Sequence, residues 1–315
     1  MSDHQFNRRF FMGGSAAAAV GLAAAPALAQ TPAAQPSNLG PVTLGDPTAR
    51  TGSTMEVNGA RIFYQVTGAG APMLLLHGYP LSGALFSRVR DELSRDFQVI
   101  TLDHRGYGNS QAPAIPDSIE VYADDALAVM QRLNIAKAHI GGMSMGGPIA
   151  FEMYRKAPER FAGMMLIDTI AGAASPAEAG MWRGVADMVR QKGVDALPPV
   201  LVHEMLSGDT RLAQPEMVDY IKTIVLQASR DAAIGGALAL AQRPDSTQML
   251  GSIHVPVQIL VGLNDHVYPV EIARGMNEQI TNSRLDIIGG AAHAAIFEAP
   301  EQCAQAIRAF HGTLR

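Results

Sequence analysis

The stretch Ala138-His139-Ile140-Gly141-Gly142-Met143-Ser144-Met145-Gly146-Gly147-Pro148 leaves this chain few folds to choose from. Its first six residues have the apolar look of a short buried strand, and Ile149, Ala150, Met153 and Tyr154 then recur at helical spacing as far as Pro158. A strand that passes straight into a helix must turn sharply, and the residue at the apex is driven toward backbone angles that glycine alone adopts freely. Here that residue is Ser144. Gly142 and Gly146 flank it, so that neighbouring backbone can pass close by without meeting a Cβ. The pattern Gly-x-Ser-x-Gly is that of a nucleophile elbow, which pushes a hydroxyl out of the fold. Pro148 falls in the first helical turn, where a missing N–H costs little.

With 31 glycines in the chain such a spacing can arise by accident, so its surroundings decide. Residues 55–64 read as two short strands joined at Asn58-Gly59, the strongest short hairpin signal. Four further apolar runs, 72–78, 98–103, 257–262 and 284–288, and one ending at Asp168, alternate with helical sequence. Strands apolar along their whole length belong to a mostly parallel sheet covered on both faces. Ligands gather at the carboxyl ends of such strands, and that rule places His77, Asp103, Ser144 and Asp168 on one rim.

Between residues 171 and 250 no strand is evident, and prolines punctuate helical sequence. These residues are expected to form a helical cap over the rim. Met181, Trp182 and Met205, together with His77, are candidates to line a substrate pocket, although most apolar cap residues should simply pack the cap. The sheet-bearing core is then 54–170 and 251–315, with 30–53 a linker or surface arm rich in Pro, Ala, Gly, Thr and Ser.

The first 29 residues read as a separate message. Arg8-Arg9 precedes Phe10-Phe11-Met12 and an Ala-rich apolar run, and Ala27-Leu28-Ala29 offers a small-x-small cleavage site. This is expected to be a twin-arginine export signal leading to the periplasm or beyond, with an uncleaved anchor as the alternative. One cysteine, Cys303, can form no internal disulfide in an oxidising compartment. A net charge of −5 with 17% charged residues gives no basic stripe for nucleic acid, so a small-molecule partner is expected. No Walker loop, dinucleotide glycine loop or HExxH motif is present, and the histidines are scattered, which argues against a metal site.

A serine hydroxyl needs a base within hydrogen-bond reach, itself oriented by a third group. His293 lies in the small-residue loop after the final strand, and Asp265 follows the end of another strand. His77, His104, His139, His203, His254 and His266 compete as bases. Asp168 also ends a strand and stands in reserve as the acid, while Asp103 is better suited to hold the turn at Arg105-Gly106-Tyr107-Gly108. The oxyanion needs two N–H donors. Met145, after the nucleophile, offers one, and Tyr79 is the candidate for the other because Pro80 has none.

The motifs His77-Gly78-Tyr79-Pro80, Asp103-His104-Arg105-Gly106-Tyr107-Gly108-Asn109-Ser110, Gly142-x-Ser144-x-Gly146, the Asp265 loop and His293-x-x-x-x-Glu298-x-Pro300 together resemble the α/β-hydrolase superfamily. The chain is similar to its small bacterial carboxylesterases, enol-lactonases and cofactor-free perhydrolases. That resemblance implies an α/β-hydrolase fold, a Ser-Asp-His triad and no cofactor. Epoxide hydrolases and haloalkane dehalogenases carry Asp at the elbow, so Ser144 argues against alkyl displacement. The expected function is an exported serine hydrolase of carboxylic esters or lactones bearing small to medium apolar or aromatic groups. The alternatives are a perhydrolase or acyltransferase on the same triad, and a non-catalytic binding protein of the same fold.

Overall fold

A computed structural model describes Val42 and residues 44–113 and 117–314. The expected export signal lies outside the described residues. Among the described residues, eight strands form one sheet. β1 (Ser53–Val57) and β2 (Ala60–Thr67) form an antiparallel hairpin in which Val57 faces Ala60. Asn58 and Gly59 make the turn with φ of 47° and 73°, the left-handed pair that a two-residue hairpin demands. β2 runs antiparallel to β4 (Phe97–Leu102), and from there the sheet is parallel through β3 (Ala71–Leu76), β5 (Ala138–Met143), β6 (Phe161–Ile167), β7 (Val257–Gly262) and β8 (Ser283–Ile288).

The central strands are buried almost throughout, because helices cover both faces and leave no side for water. Just past the end of β4, the Arg105 guanidinium makes a bidentate pair with Asp125, Nε to Oδ2 at 2.7 Å and a terminal nitrogen to Oδ1 at 2.6 Å. Both groups are buried, so each charge depends on the other for compensation. Asp103 does what its position suggested. Its Oδ1 accepts from Gly83 N and its Oδ2 from Asn109 N, both at 2.7 Å, clasping the turn through Gly108, whose φ is 52°. Burial pushes its carboxyl up to about 6 despite those two bonds.

Between β6 and β7 the chain lays down helices Pro176–Lys192, Pro198–Met205, Gly208–Ala213, Pro215–Leu226 and Arg230–Ala241. Proline stands in the first turn of the first, second and fourth, and Ser175, Ser207 and Ser229 cap the first, third and fifth by accepting from the amides of Glu178, Thr210 and Ala232. The insertion is bolted to the core at its Arg230–Ala241 helix. Tyr79 and Tyr107 hydroxyls donate to Ala233 O at 2.8 Å and Ala232 O at 2.7 Å. Gly236 makes that approach possible, since a Cβ there would stand 2.0 Å from the Tyr107 oxygen. The described end of the N-terminal arm lies against the same insertion, with Val42 N donating to Glu216 at 3.3 Å and Gln227 to Pro47 O at 3.4 Å.

Candidate active site

Ser144 follows β5 directly, and its φ of 53° confirms the strained turn that its neighbours imply. The turn is held from below: Ser144 N donates to Ile167 O at 3.0 Å, and Thr169 Oγ1 donates to Ser144 O at 2.6 Å. The flanking glycines are required by contact. A Cβ on Gly142 would lie 2.0 Å from Gly146 O, and one on Gly146 would lie 2.2 Å from Leu76 O. Helix Gly146–Lys156 then leads away, leaving the serine at its N-terminal end.

His293 Nε2 stands 2.9 Å from Ser144 Oγ, and His293 Nδ1 stands 2.9 Å from Asp265 Oδ2. A carboxylate can only accept, so the partners assign the proton to Nδ1 and leave Nε2 to accept from the serine hydroxyl. The second Asp265 oxygen accepts from Val267 N at 2.8 Å and Tyr268 N at 3.0 Å, which fixes the carboxylate in rotation. Both residues are buried, and the Tyr268 ring packs edge-on against the imidazole with centroids 5.6 Å apart. The three residues therefore form one hydrogen-bonded chain from three separate strand ends.

The competing groups are engaged elsewhere. Asp168, itself at a φ of 45°, spends Oδ1 on Gly262 N at 2.8 Å and Oδ2 on Ala295 N at 3.1 Å. It thereby pins the end of β7 to the segment after His293 without touching the imidazole. Burial, reinforced by the nearby Asp265 charge, holds its carboxyl well above the usual carboxylate range. His203, His254 and His266 are exposed, and His139 packs edge-on against His311. His104 is buried with Nε2 against His77 O at 3.2 Å.

His77 departs from its expected place in the pocket lining. It is fully buried, its Nδ1 donating to Gly78 O and its Nε2 accepting from His104 N, each at 2.9 Å. Burial pulls its pKa down to about 4, and both nitrogens are used within the fold, so the ring is a brace for the strand end. Gly78 passes against the serine, where a Cβ would lie 2.9 Å from Ser144 Cβ, and Tyr79 is the next residue of the chain. Among the described residues, neither the Tyr79 nor the Met145 amide is hydrogen-bonded to a protein acceptor. Trp182 meets the Tyr79 ring edge-on at 5.3 Å, Met205 O accepts from Ala294 N at 2.8 Å, and Met181 packs half-buried against the core. Thr169 and Tyr268 were not singled out by the sequence; only their adjacency to Asp168 and Asp265 hinted at them.

No group of three or more His, Cys, Asp or Glu residues is placed to hold a metal ion among the described residues. The chemistry on offer is that of a half-buried serine, a buried imidazole and a buried carboxylate beside two unused amides.

A mostly parallel sheet with a serine on the turn after β5, joined to a histidine and an acid from later loops, defines a class of protein. Residues 71–300 match the alpha/beta hydrolase fold family, and the chain belongs to it. A solved thermophilic esterase from Thermogutta terrifontis is 34% identical, with a TM-score of 0.79 over 83% of this chain and 97% of that one. The AB hydrolase superfamily protein YisY of Bacillus subtilis is 29% identical over 79% of this chain and 94% of its own length. The 3-oxoadipate enol-lactonase 2 of Acinetobacter baylyi is 29% identical over 67% of this chain and 77% of its own.

Proposed function

We propose that this protein is a serine hydrolase of carboxylic esters or lactones carrying small to medium apolar or aromatic groups. The observation that carries the reading is the pair of 2.9 Å contacts joining Ser144 Oγ to His293 and His293 to Asp265, at a serine whose φ is 53°. Similarity to an esterase and an enol-lactonase supports the substrate class. In this reading Ser144 Oγ attacks the carbonyl carbon as its proton passes to His293 Nε2, and the carbonyl electrons move onto oxygen. Met145 and Tyr79 N–H groups receive that oxyanion, the former with the help of the helix N-terminus behind it. Asp265 pairs with the imidazolium. His293 then protonates the departing alkoxide as its bond to carbon breaks, leaving an acyl-Ser144. Water, losing a proton to His293, attacks the acyl carbon, and the acid departs as Ser144 regains its hydrogen. The Tyr79 and Trp182 rings, in edge-on contact, with the half-buried Met181 next to Trp182 in the chain, offer aromatic and thioether surface that suits apolar groups.

A fluorophosphonate probe tests the reading. Wild-type protein is expected to gain one adduct by intact mass, mapped to Ser144, and to cleave aryl or short-chain esters; the absence of any adduct on folded protein overturns it. Transfer of the acyl group to hydrogen peroxide in preference to water would place the reaction among acyl transfers instead.

The proposal includes export by the twin-arginine route, supported by Arg8-Arg9, the apolar run after them and Ala27-Leu28-Ala29. Cell fractionation is expected to find the protein outside the cytoplasm, and Arg8→Lys with Arg9→Lys is expected to retain it inside. A cytoplasmic wild-type protein refutes this.

A further inference from the structure

Resting on the reading of His293 as the base, we propose that Glu298 is a positioning residue that ties the base to the helical insertion. Glu298 Oε2 accepts at 2.7 Å from the amide of Ala292, the residue immediately before His293. Its other oxygen accepts from Ser207 N at 2.9 Å, in the linker between helices Pro198–Met205 and Gly208–Ala213 of the insertion. On the far side of His293, Ala294 N donates to Met205 O at 2.8 Å. The residues before and after the imidazole are thus fastened to one three-residue segment, 205–207.

That segment is itself firm. Ser207 Oγ caps the following helix through Thr210 N at 3.2 Å, and Ser207 is buried. Glu298 is also fixed from behind, because Arg88 donates to Phe297 O at 2.8 Å and to Glu298 O at 3.4 Å. Tyr220, from the insertion, stacks on Phe297 at 5.0 Å and bonds Ser87 at 2.9 Å and Ala84 O at 3.0 Å. Glu298 therefore sits where core helix, insertion and base loop meet, with both carboxylate oxygens committed to amides.

The consequence is mechanical. Any displacement of the insertion's 205–207 segment pulls on both sides of His293, whose Nε2 must stay within hydrogen-bond reach of Ser144. A misplacement of about 1 Å can cost on the order of a hundredfold in rate. The insertion's position accordingly sets the alignment of the base.

Glutamine keeps the size but offers one acceptor and one donor, so one of the two amides meets an N–H instead of an oxygen. Glu298→Ala loses both ties. Glu298→Gln is expected to lower kcat/KM by about tenfold and Glu298→Ala by about a hundredfold, mostly in kcat. KM is expected to stay within about twofold of wild type, because neither substitution removes a group that touches substrate. Hydrogen exchange is expected to quicken together in peptides covering 201–211 and 289–296. The exchange measurement needs no turnover, so it stands apart from the functional reading: coupled quickening without any ester activity in wild type defeats that reading alone. A Glu298→Gln protein with wild-type kcat, or with its loss carried by KM instead of kcat, or with quickened exchange in only one of the two peptides, overturns the proposal.

Discussion

Replacing Ser144 by alanine is expected to lower kcat on an ester substrate about 10⁵- to 10⁶-fold, with fluorophosphonate labelling abolished. The size of the effect follows from the way the chain of contacts is built. His293 Nε2 and Asp265 exist, in this reading, to activate one hydroxyl, and without it their alignment has nothing to act on. The residual rate comes from the two amides and from substrate binding alone, which retain some 10³- to 10⁴-fold over water in comparable sites. Folding is expected to survive, because the substitution removes one hydrogen bond with a net worth of about 0.5–1.5 kcal/mol. Alanine inherits the same unfavourable φ of 53°. Ser144→Gly, equally inactive, removes that strain, and thermal melting is expected to show it as the more stable of the two variants by about 1 kcal/mol. Turnover retained in Ser144→Ala would mean that another group is the nucleophile.

Much of this arrangement was legible in the sequence where a local rule forces a local shape. Asn58-Gly59 fixes a hairpin because two consecutive left-handed residues leave no other economical turn, and the apolar runs from 72 to 288 appear as parallel strands within a residue or two of their expected ends. The serine turn was readable for the same reason: glycine at 142 and 146 is demanded by backbone oxygens about 2 Å from where a Cβ would be. What escaped was set by long-range pairing or by the side of a strand end that faces inward. His77 looked available because it ends a strand, yet it faces the His104 amide and is sealed there. Glu298 stood within a motif, but its partner Ser207 is 91 residues away, and no periodicity announces such a bond. Asp168 stood in reserve behind Asp265, since one follows a strand end directly and the other lies on the loop just past one; the partners of each oxygen separate them.

Those partners lead to the second large effect. Asp265 Oδ1 accepts two amide hydrogens, from Val267 and Tyr268, so an asparagine at this position must turn its carbonyl oxygen toward them. Its NH₂ group is then aimed at His293 Nδ1 and can only donate. The imidazole must move its proton to Nε2, where it opposes the Ser144 hydroxyl instead of accepting from it. Asp265→Asn is therefore expected to fold normally and to lose about 10⁴-fold in kcat near neutral pH through the wrong tautomer. Asp168→Asn should behave in the opposite way. Both Asp168 oxygens accept amides, so an asparagine leaves one donor facing the N–H of Gly262 or Ala295, at a cost of about 1–3 kcal/mol in stability. Its effect on rate is expected to be modest, because neither oxygen reaches His293. Measuring kcat and the melting midpoint for both variants in parallel separates the two carboxylates. If Asp168→Asn lost the 10⁴-fold and Asp265→Asn kept its rate, the orientation of His293 would have to be assigned to the other acid, and the tautomer argument would fall with it.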